Sequence, residues 1–288
     1  MKVSVCIITY NHAKYIAEAI EGVLAQKTNF DFEIIVGEDD STDNTREIVK
    51  AYREQYPDRI RLFLNERKNV IYIDGKPTGR WNFMNNIRNA KGDYIALLDG
   101  DDYWTSPDKL QKQADFLDSH PECAMCFHDV RIVFEDNSQP SWEATPPGRK
   151  IKYTLKDLIK GNFIYTCSVM FRRGLFHEFP SWFSLVAWAD WPLHILNAEH
   201  GDIGHIPEVM GTYRIRSEGI LSSKKNIDKV KDLVGIYPYI NAHLNFRYDK
   251  LIRAIMLFKI VEKRISQTRG CGWIVKTYRK LFFHKHLR

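Results

Sequence analysis

Tyr94-Ile95-Ala96-Leu97-Leu98-Asp99-Gly100-Asp101-Asp102-Tyr103-Trp104 is an apolar run that stops abruptly in a cluster of carboxylates. A run of this length, with Gly92-Asp93 before it and polar residues after, reads as a strand buried on both faces. The acids then lie at the carboxyl edge of a sheet, where open α/β folds bind ligands. Carboxylates this close repel one another unless positive charge sits among them. A hard divalent cation, Mg2+ or Mn2+, would supply it and keep open positions for phosphate oxygens. The same residues also suit a solvated acidic loop before a helix started by Ser106-Pro107-Asp108, and the cluster alone does not choose.

Upstream, Val3–Thr9 is a β-branched apolar run, and Tyr10-Asn11-His12 turns the chain. Tyr15, Ile16, Ala19, Ile20, Val23 and Leu24 then recur at helical spacing. Glu33–Gly37 reads as a second strand ending in Glu38-Asp39-Asp40, and Asn44 with Glu47 reads as a capping-box variant before a helix that stops short of Pro57. Arg61–Leu64 is a third strand. The opening is therefore β-α-β-α-β, a doubly wound start with a parallel sheet. Thr9-Tyr10-Asn11 and Glu38-Asp39-Asp40-Ser41 suit a nucleotide, yet neither glycine-rich phosphate loop is present. That absence argues against a dehydrogenase and a P-loop nucleotidase, and leaves phosphate to a metal on Asp99–Asp102.

Downstream, Arg80–Asn89 reads as a helix leading into the Tyr94–Leu98 strand, and Ser106 caps the next one. Ala124–Phe134 and Thr166–Phe171 read as strands, separated by a proline-containing loop over Glu135–Lys150. Trp188–Ala198 reads as a helix carrying Asp190 near its start. Val209–Ile215 reads as a strand that delivers Arg214 and Arg216 to one face. From Lys224 the pattern is helical to the end, which sets a boundary near Ser222.

The 288 residues suffice for one large α/β domain with an appendage, at an ordinary 44% hydrophobic and 27% charged. The net charge of +6 is uneven: acids and bases balance over the first third, and the segment after Lys250 is strongly basic. The five cysteines have irregular spacing and imply no disulfide framework, which fits a reducing, cytoplasmic setting. No leader peptide and no spanning helix are expected.

Four separated stretches together resemble one family. They are Val3-Ser4-Val5-Cys6-Ile7-Ile8-Thr9-Tyr10-Asn11, Glu38-Asp39-Asp40-Ser41-Thr42-Asp43, Lys91 through Asp102, and Ala189-Asp190-Trp191. The sequence resembles the family 2 glycosyltransferases, especially bacterial enzymes of surface-polysaccharide synthesis, over roughly residues 1–220. The resemblance implies a GT-A fold: an α/β, Rossmann-like, mixed but mostly parallel central sheet flanked by helices. A catalytic domain over 1–222 would then carry a helical basic extension over 223–288.

The resemblance also implies roles. Thr9, Tyr10 and Asn11 lie on the nucleotide side, and Asp39 reads the base, accepting from a uracil N–H. Asp99 and Asp101 form a D-x-D with Asp102 adjacent. The metal falls to Asp101 and Asp102, with their shares left open, and Asp99 and Asp101 also contact the nucleotide. Asp190 is similar to the family's catalytic base, although a helix N-cap is its plain structural alternative. Arg214 and Arg216 match the region that reaches the donor pyrophosphate. Two departures stand out: Ala189 replaces the family's common Glu, and Arg216 stands where many relatives carry His.

The implied reaction is an inverting, metal-dependent transfer from a nucleoside-diphosphate sugar, a UDP-sugar by the Asp39 reading. The acceptor is a hydroxyl of a glycan or lipid-linked molecule, and no nucleic acid is expected. A nucleotidyltransferase and a non-catalytic sugar-nucleotide-binding protein are the rival classes. Basic residues of Lys250–Arg288 alternate with Trp273, Phe282 and Phe283. That fits peripheral contact with an anionic membrane as well as it fits helices with a solvated basic face.

Overall fold

The computed structural model describes residues 1–217 and 226–266. The opening runs β1 (Val3–Thr9), α1 (Ile16–Leu24), β2 (Phe32–Glu38), α2 (Thr45–Gln55) and β3 (Ile60–Leu64). A small hairpin, β4 (Ile71–Ile73) and β5 (Lys76–Thr78), precedes α3 (Arg80–Asn89), β6 (Tyr94–Asp99), β7 (Tyr103–Trp104) and α4 (Lys109–Ser119). Then come β8 (Cys123–Phe134), β9 (Trp142–Ala144), β10 (Lys152–Tyr153), α5 (Leu155–Ile159) and β11 (Met170–Arg172). The described chain closes with α6 (Asp190–Ala198), β12 (Asp202–Ile215), α7 (Asn226–His243) and α8 (Asp249–Ser266).

The main sheet has the order β10-β12-β8-β11-β6-β1-β2-β3. β6, β1, β2 and β3 are parallel neighbours, and so are β8 and β12, while β11 joins the two groups antiparallel to both. The sheet is thus mixed and mostly parallel, as expected. Side-chain alternation sorts the core into two layers. Val3, Val5 and Ile7 of β1 pack with α1, α2 and α4 on one face. Cys6, Ile35 and Ile95 pack with α3, α5 and α6 on the other. From β1 the chain moves to β2 on one side and later to β6 on the other. The carboxyl ends of β1 and β6 therefore form a topological switch point, the crevice where ligands gather in such sheets.

Several local expectations change. Asn44 makes no side-chain cap; Asp43 takes that work, accepting from the Thr45 N–H at 3.0 Å and the Ala13 N–H at 3.1 Å. Ser106 does not cap α4, which begins at Lys109. The strand expected over Thr166–Phe171 is shorter, because Thr166–Ser168 forms a 3-10 turn closed by Ser168 onto the Tyr165 carbonyl. The Glu135–Lys150 loop contains β9, paired with β8. Ile236, Tyr237 and Ile240 of α7 and Ile252 and Ile255 of α8 lie in the same core as α5 and α6. The boundary near Ser222 and most of the basic tail, from 267 onward, lie outside the described residues. Among the described residues, no helix is long and apolar enough to cross a membrane.

Candidate active site

Parallel register brings the donor-side residues to one edge: Thr9 pairs with Glu38 and Ile8 with Asp99. Asn11 turns the chain with φ 53°, the left-handed region that asparagine tolerates. Its N–H donates to Ser41 Oγ at 2.9 Å, and its Oδ1 accepts from the Thr42 N–H at 2.8 Å. The loops after β1 and β2 are thereby fastened together. Asp39 is buried at 5% exposure, and burial pushes its carboxyl up to about 6. Arg67 opposes that rise, while Glu38 and Asp40 add to it. Arg67 also stacks over the half-exposed Tyr10 ring at 4.8 Å and donates to the Asp39 carbonyl at 3.3 Å. Thr9 Oγ1 is buried without a hydrogen-bond partner among the described residues.

The β6 acids separate once the backbone is in view. Asp102 N–H closes a turn onto the Asp99 carbonyl at 3.0 Å. That turn sends Asp102 inward to 2% exposure, where its Oδ1 accepts from the Arg214 N–H at 2.8 Å. Its Oδ2 is buried without a hydrogen-bond partner among the described residues. Asp101 stays at the mouth, 2.7 Å from Arg216 and 3.7 Å from His12. Burial holds the Asp99 carboxyl above its ordinary range, and Asp101 and Asp190 push it further. Gly100 is needed between them, since a Cβ there would meet Thr9 Oγ1 at 2.8 Å and His12 Nδ1 at 2.9 Å.

Arg214, in β12, and Arg216, just past its end, both reach this edge. Arg214 donates from Nε to the Asp101 carbonyl at 3.0 Å, pairs with Glu18, and lies over Tyr15 at 4.8 Å and Tyr103 at 5.1 Å. Arg216 lies over the same Tyr15 ring at 5.3 Å. Asp190 opens α6, and its Oδ2 accepts from Asn162 Nδ2 at 2.8 Å. Burial raises its carboxyl; bonds from backbone N–H groups, the Arg80 charge and Asn162 pull the other way. Its charge acts on Asp99, so the start of α6 lies within electrostatic reach of the β6 acids.

A divalent cation fits this edge only in part from the protein side. Asp99 and Asp101 crowd like charges, which a cation would relieve. Among the described residues, no three carboxylate, imidazole or thiol side chains converge as a complete ligand set. A hard cation held there would draw its remaining positions from substrate oxygens and water. His12, Glu18, Arg67, Arg80, Asn162 and Tyr15 are the site-lining residues that sequence reasoning left out. A turn residue, scattered single charges and a lone Asn carry no distinguishing sequence pattern.

The family model described as Glycosyl transferase family 2 matches residues 4–179. An uncharacterized protein of Mycobacterium tuberculosis is 39% identical over 223 residues, covering 76% of this chain and 60% of that protein. An uncharacterized glycosyltransferase of Nostoc is 32% identical over 225 residues, covering 75% of this chain and 65% of its own. The chain thus spans less than two thirds of the length of these relatives. Among solved structures, S. aureus TarS with UDP-GlcNAc superposes with a TM-score of 0.66 at 22% identity, over 95% of this chain and 75% of that one. The mannosyltransferase PcManGT from Pyrobaculum calidifontis, with GDP-Man and Mn2+, gives a TM-score of 0.57 at 16% identity, over 99% of this chain and 81% of that one. At these identities the superpositions speak for the fold, which is of the GT-A type. Its matched span runs from β1 through the β6 acids and β11, and the chain belongs to the family 2 glycosyltransferases.

Proposed function

We propose that the chain moves a sugar from a nucleoside-diphosphate sugar to an acceptor hydroxyl with inversion, assisted by Mn2+ or Mg2+. The observation that carries this reading is the gathering of Thr9, Glu38 and Asp99 at the carboxyl ends of β1, β2 and β6, the switch point of the sheet, with the Asp190 charge acting on Asp99. Tyr10 and Arg67 offer flat faces to a base, and the Asp39 carboxylate accepts an imide N–H, which favours uracil. The resemblance gives the cation to Asp101 and Asp102; because Asp102 is buried and tied to the Arg214 backbone, we read Asp99 as the partner of Asp101 and Asp102 as the brace that sets the edge. When bound, the cation offsets negative charge on the diphosphate.

The chemistry left to the side chains is a single displacement. The acceptor oxygen attacks the anomeric carbon as its proton passes to the Asp190 carboxylate. The bond from that carbon to the diphosphate oxygen breaks on the opposite face. Arg214 and Arg216 then face the growing charge of the leaving diphosphate. Asn162 fixes the orientation of the base.

The acceptor is read as a glycan or lipid-linked hydroxyl. Peripheral membrane contact is supported by one face of α8, where Lys250, Arg253, Leu257 and Ile260 are all exposed. The described helices α7 and α8 share the core of the catalytic body, so we read them as part of it.

The test is incubation with a panel of UDP- and GDP-sugars, with Mn2+ or with excess chelator, reading released nucleoside diphosphate. Release from a UDP-sugar that chelator suppresses is the expected result. Undiminished release in chelator would remove the metal from the account, and no release from any donor would remove the transferase reading.

A further inference from the structure

Arg80 opens α3 and is 3% exposed. Its Nη2 donates to two backbone carbonyls, Val186 and Trp188, each at 2.7 Å. Its guanidinium also lies over the Phe183 ring at 4.6 Å. These partners belong to the segment that delivers Asp190, which between β11 and α6 has only a 3-10 turn at Ser181–Ser184. Trp188, two residues before Asp190, sits at φ 60°. A bulky side chain in that left-handed region is strained and persists only where neighbours over-determine it. The two hydrogen bonds from Arg80 supply that constraint.

Two further side chains of α3, Asn82 and Asn86, pin it to the strands of the donor edge. Asn82 Nδ2 donates to the Gly37 carbonyl of β2 at 2.7 Å, and Asn86 Nδ2 to the Ile7 carbonyl of β1 at 2.9 Å. One helix therefore holds the strands that present Thr9 and Asp39 and, through Arg80, the segment that presents Asp190.

We infer that Arg80 is a positioning residue for the catalytic base, and that α3 is the rigid spacer fixing the distance between Asp190 and the donor edge. The inference rests on the reading of Asp190 as the base. Loss of the clamp lets the 186–190 segment relax while the donor edge stays intact. A misplacement of about 1 Å costs a reaction about 10²-fold.

The test crosses Arg80→Gln and Arg80→Lys with Asp190→Asn. Nucleoside diphosphate release from UDP-GlcNAc and GDP-mannose with Mn2+ gives the rate, calorimetry gives UDP affinity, and hydrogen exchange over 181–191 needs no donor. Arg80→Gln should slow release about 10²-fold and raise exchange in 181–191 alone, with UDP affinity within about threefold of wild type. Arg80→Lys should recover part of the rate. In the Asp190→Asn background, Arg80→Gln should change the rate little, because the two act as a unit. An equal fold-loss in both backgrounds, a parallel loss of UDP affinity, or exchange raised across α3 and β6 would overturn the assignment. So would loss of fold in both Arg80 variants. Wild-type release by Asp190→Asn would instead remove the base reading on which the inference stands.

Discussion

The donor wall hangs from the ends of β1, β2 and β6, three parallel strands in unbroken register. Asp190 comes instead from a segment without strands, held by Arg80 on two carbonyls and by Asn162 on the carboxylate itself. Ladder hydrogen bonds place the first set of side chains; side chains reaching across to the backbone place the second. The donor edge should therefore tolerate changes on the acceptor side, while the base should feel changes in the few groups that hold it.

The largest expected effect isolates the acceptor side. Asp190→Asn keeps size and the bond from Asn162 but cannot take a proton. Turnover should fall roughly 10²- to 10⁴-fold, with UDP affinity near wild type. Lost nucleotide affinity would place Asp190 on the donor wall instead.

The next isolates the donor wall. Asp39→Ala should weaken UDP binding by roughly 10- to 100-fold, the worth of a hydrogen bond to a charged group. The buried Asp39 carboxyl titrates at about 6, above its ordinary range. The ionised form is the better acceptor for an imide N–H, and binding favours it. UDP affinity in the wild type should thus be full above that pH and fall as pH drops through it. A flat affinity profile between pH 5 and 7.5, identical in Asp39→Ala, would count against base reading by this residue.

Why the donor wall was legible follows from these two. β1, β2 and β6 are apolar runs of strand length that end in polar residues, acids in β2 and β6 and Thr9 in β1, and a parallel sheet must bring such ends to one edge. The acceptor side left no comparable trace. Arg80 looks like any arginine opening an exposed helix, and its partners are carbonyls more than a hundred residues away. Asp102 shows the same limit at close range. A run of acids does not say which one a turn will send inward, and here the bond from Asp102 N–H to Asp99 decides it. The C-terminal helices read as an appendage because amphipathic periodicity shows an apolar face without naming what it packs on. Tyr237 answers that with its hydroxyl on the Ile159 carbonyl.

Two stability measurements sharpen the contrast further. Gly37 lies under α3, and a Cβ there would fall 1.8 Å from Asn82 Oδ1 and 2.6 Å from Asn86 Oδ1. Gly37→Ala should destabilise the fold by about 1–3 kcal/mol through overpacking, and it should disturb both sides because α3 serves both. Unchanged stability by denaturant titration would show that α3 can shift freely. Tyr237→Phe has the smallest expected effect. It strands one buried carbonyl and should cost about 1 kcal/mol, or roughly 2–4 °C in Tm, with UDP affinity untouched.

The most direct test of the donor wall is calorimetric titration of the wild-type protein and Asp101→Ala with UDP, in Mn2+ and in excess chelator. A cation shared between Asp99, Asp101 and the diphosphate should tighten wild-type binding by about tenfold or more, a gain that Asp101→Ala loses. Wild-type isotherms that coincide with and without Mn2+ would contradict the account.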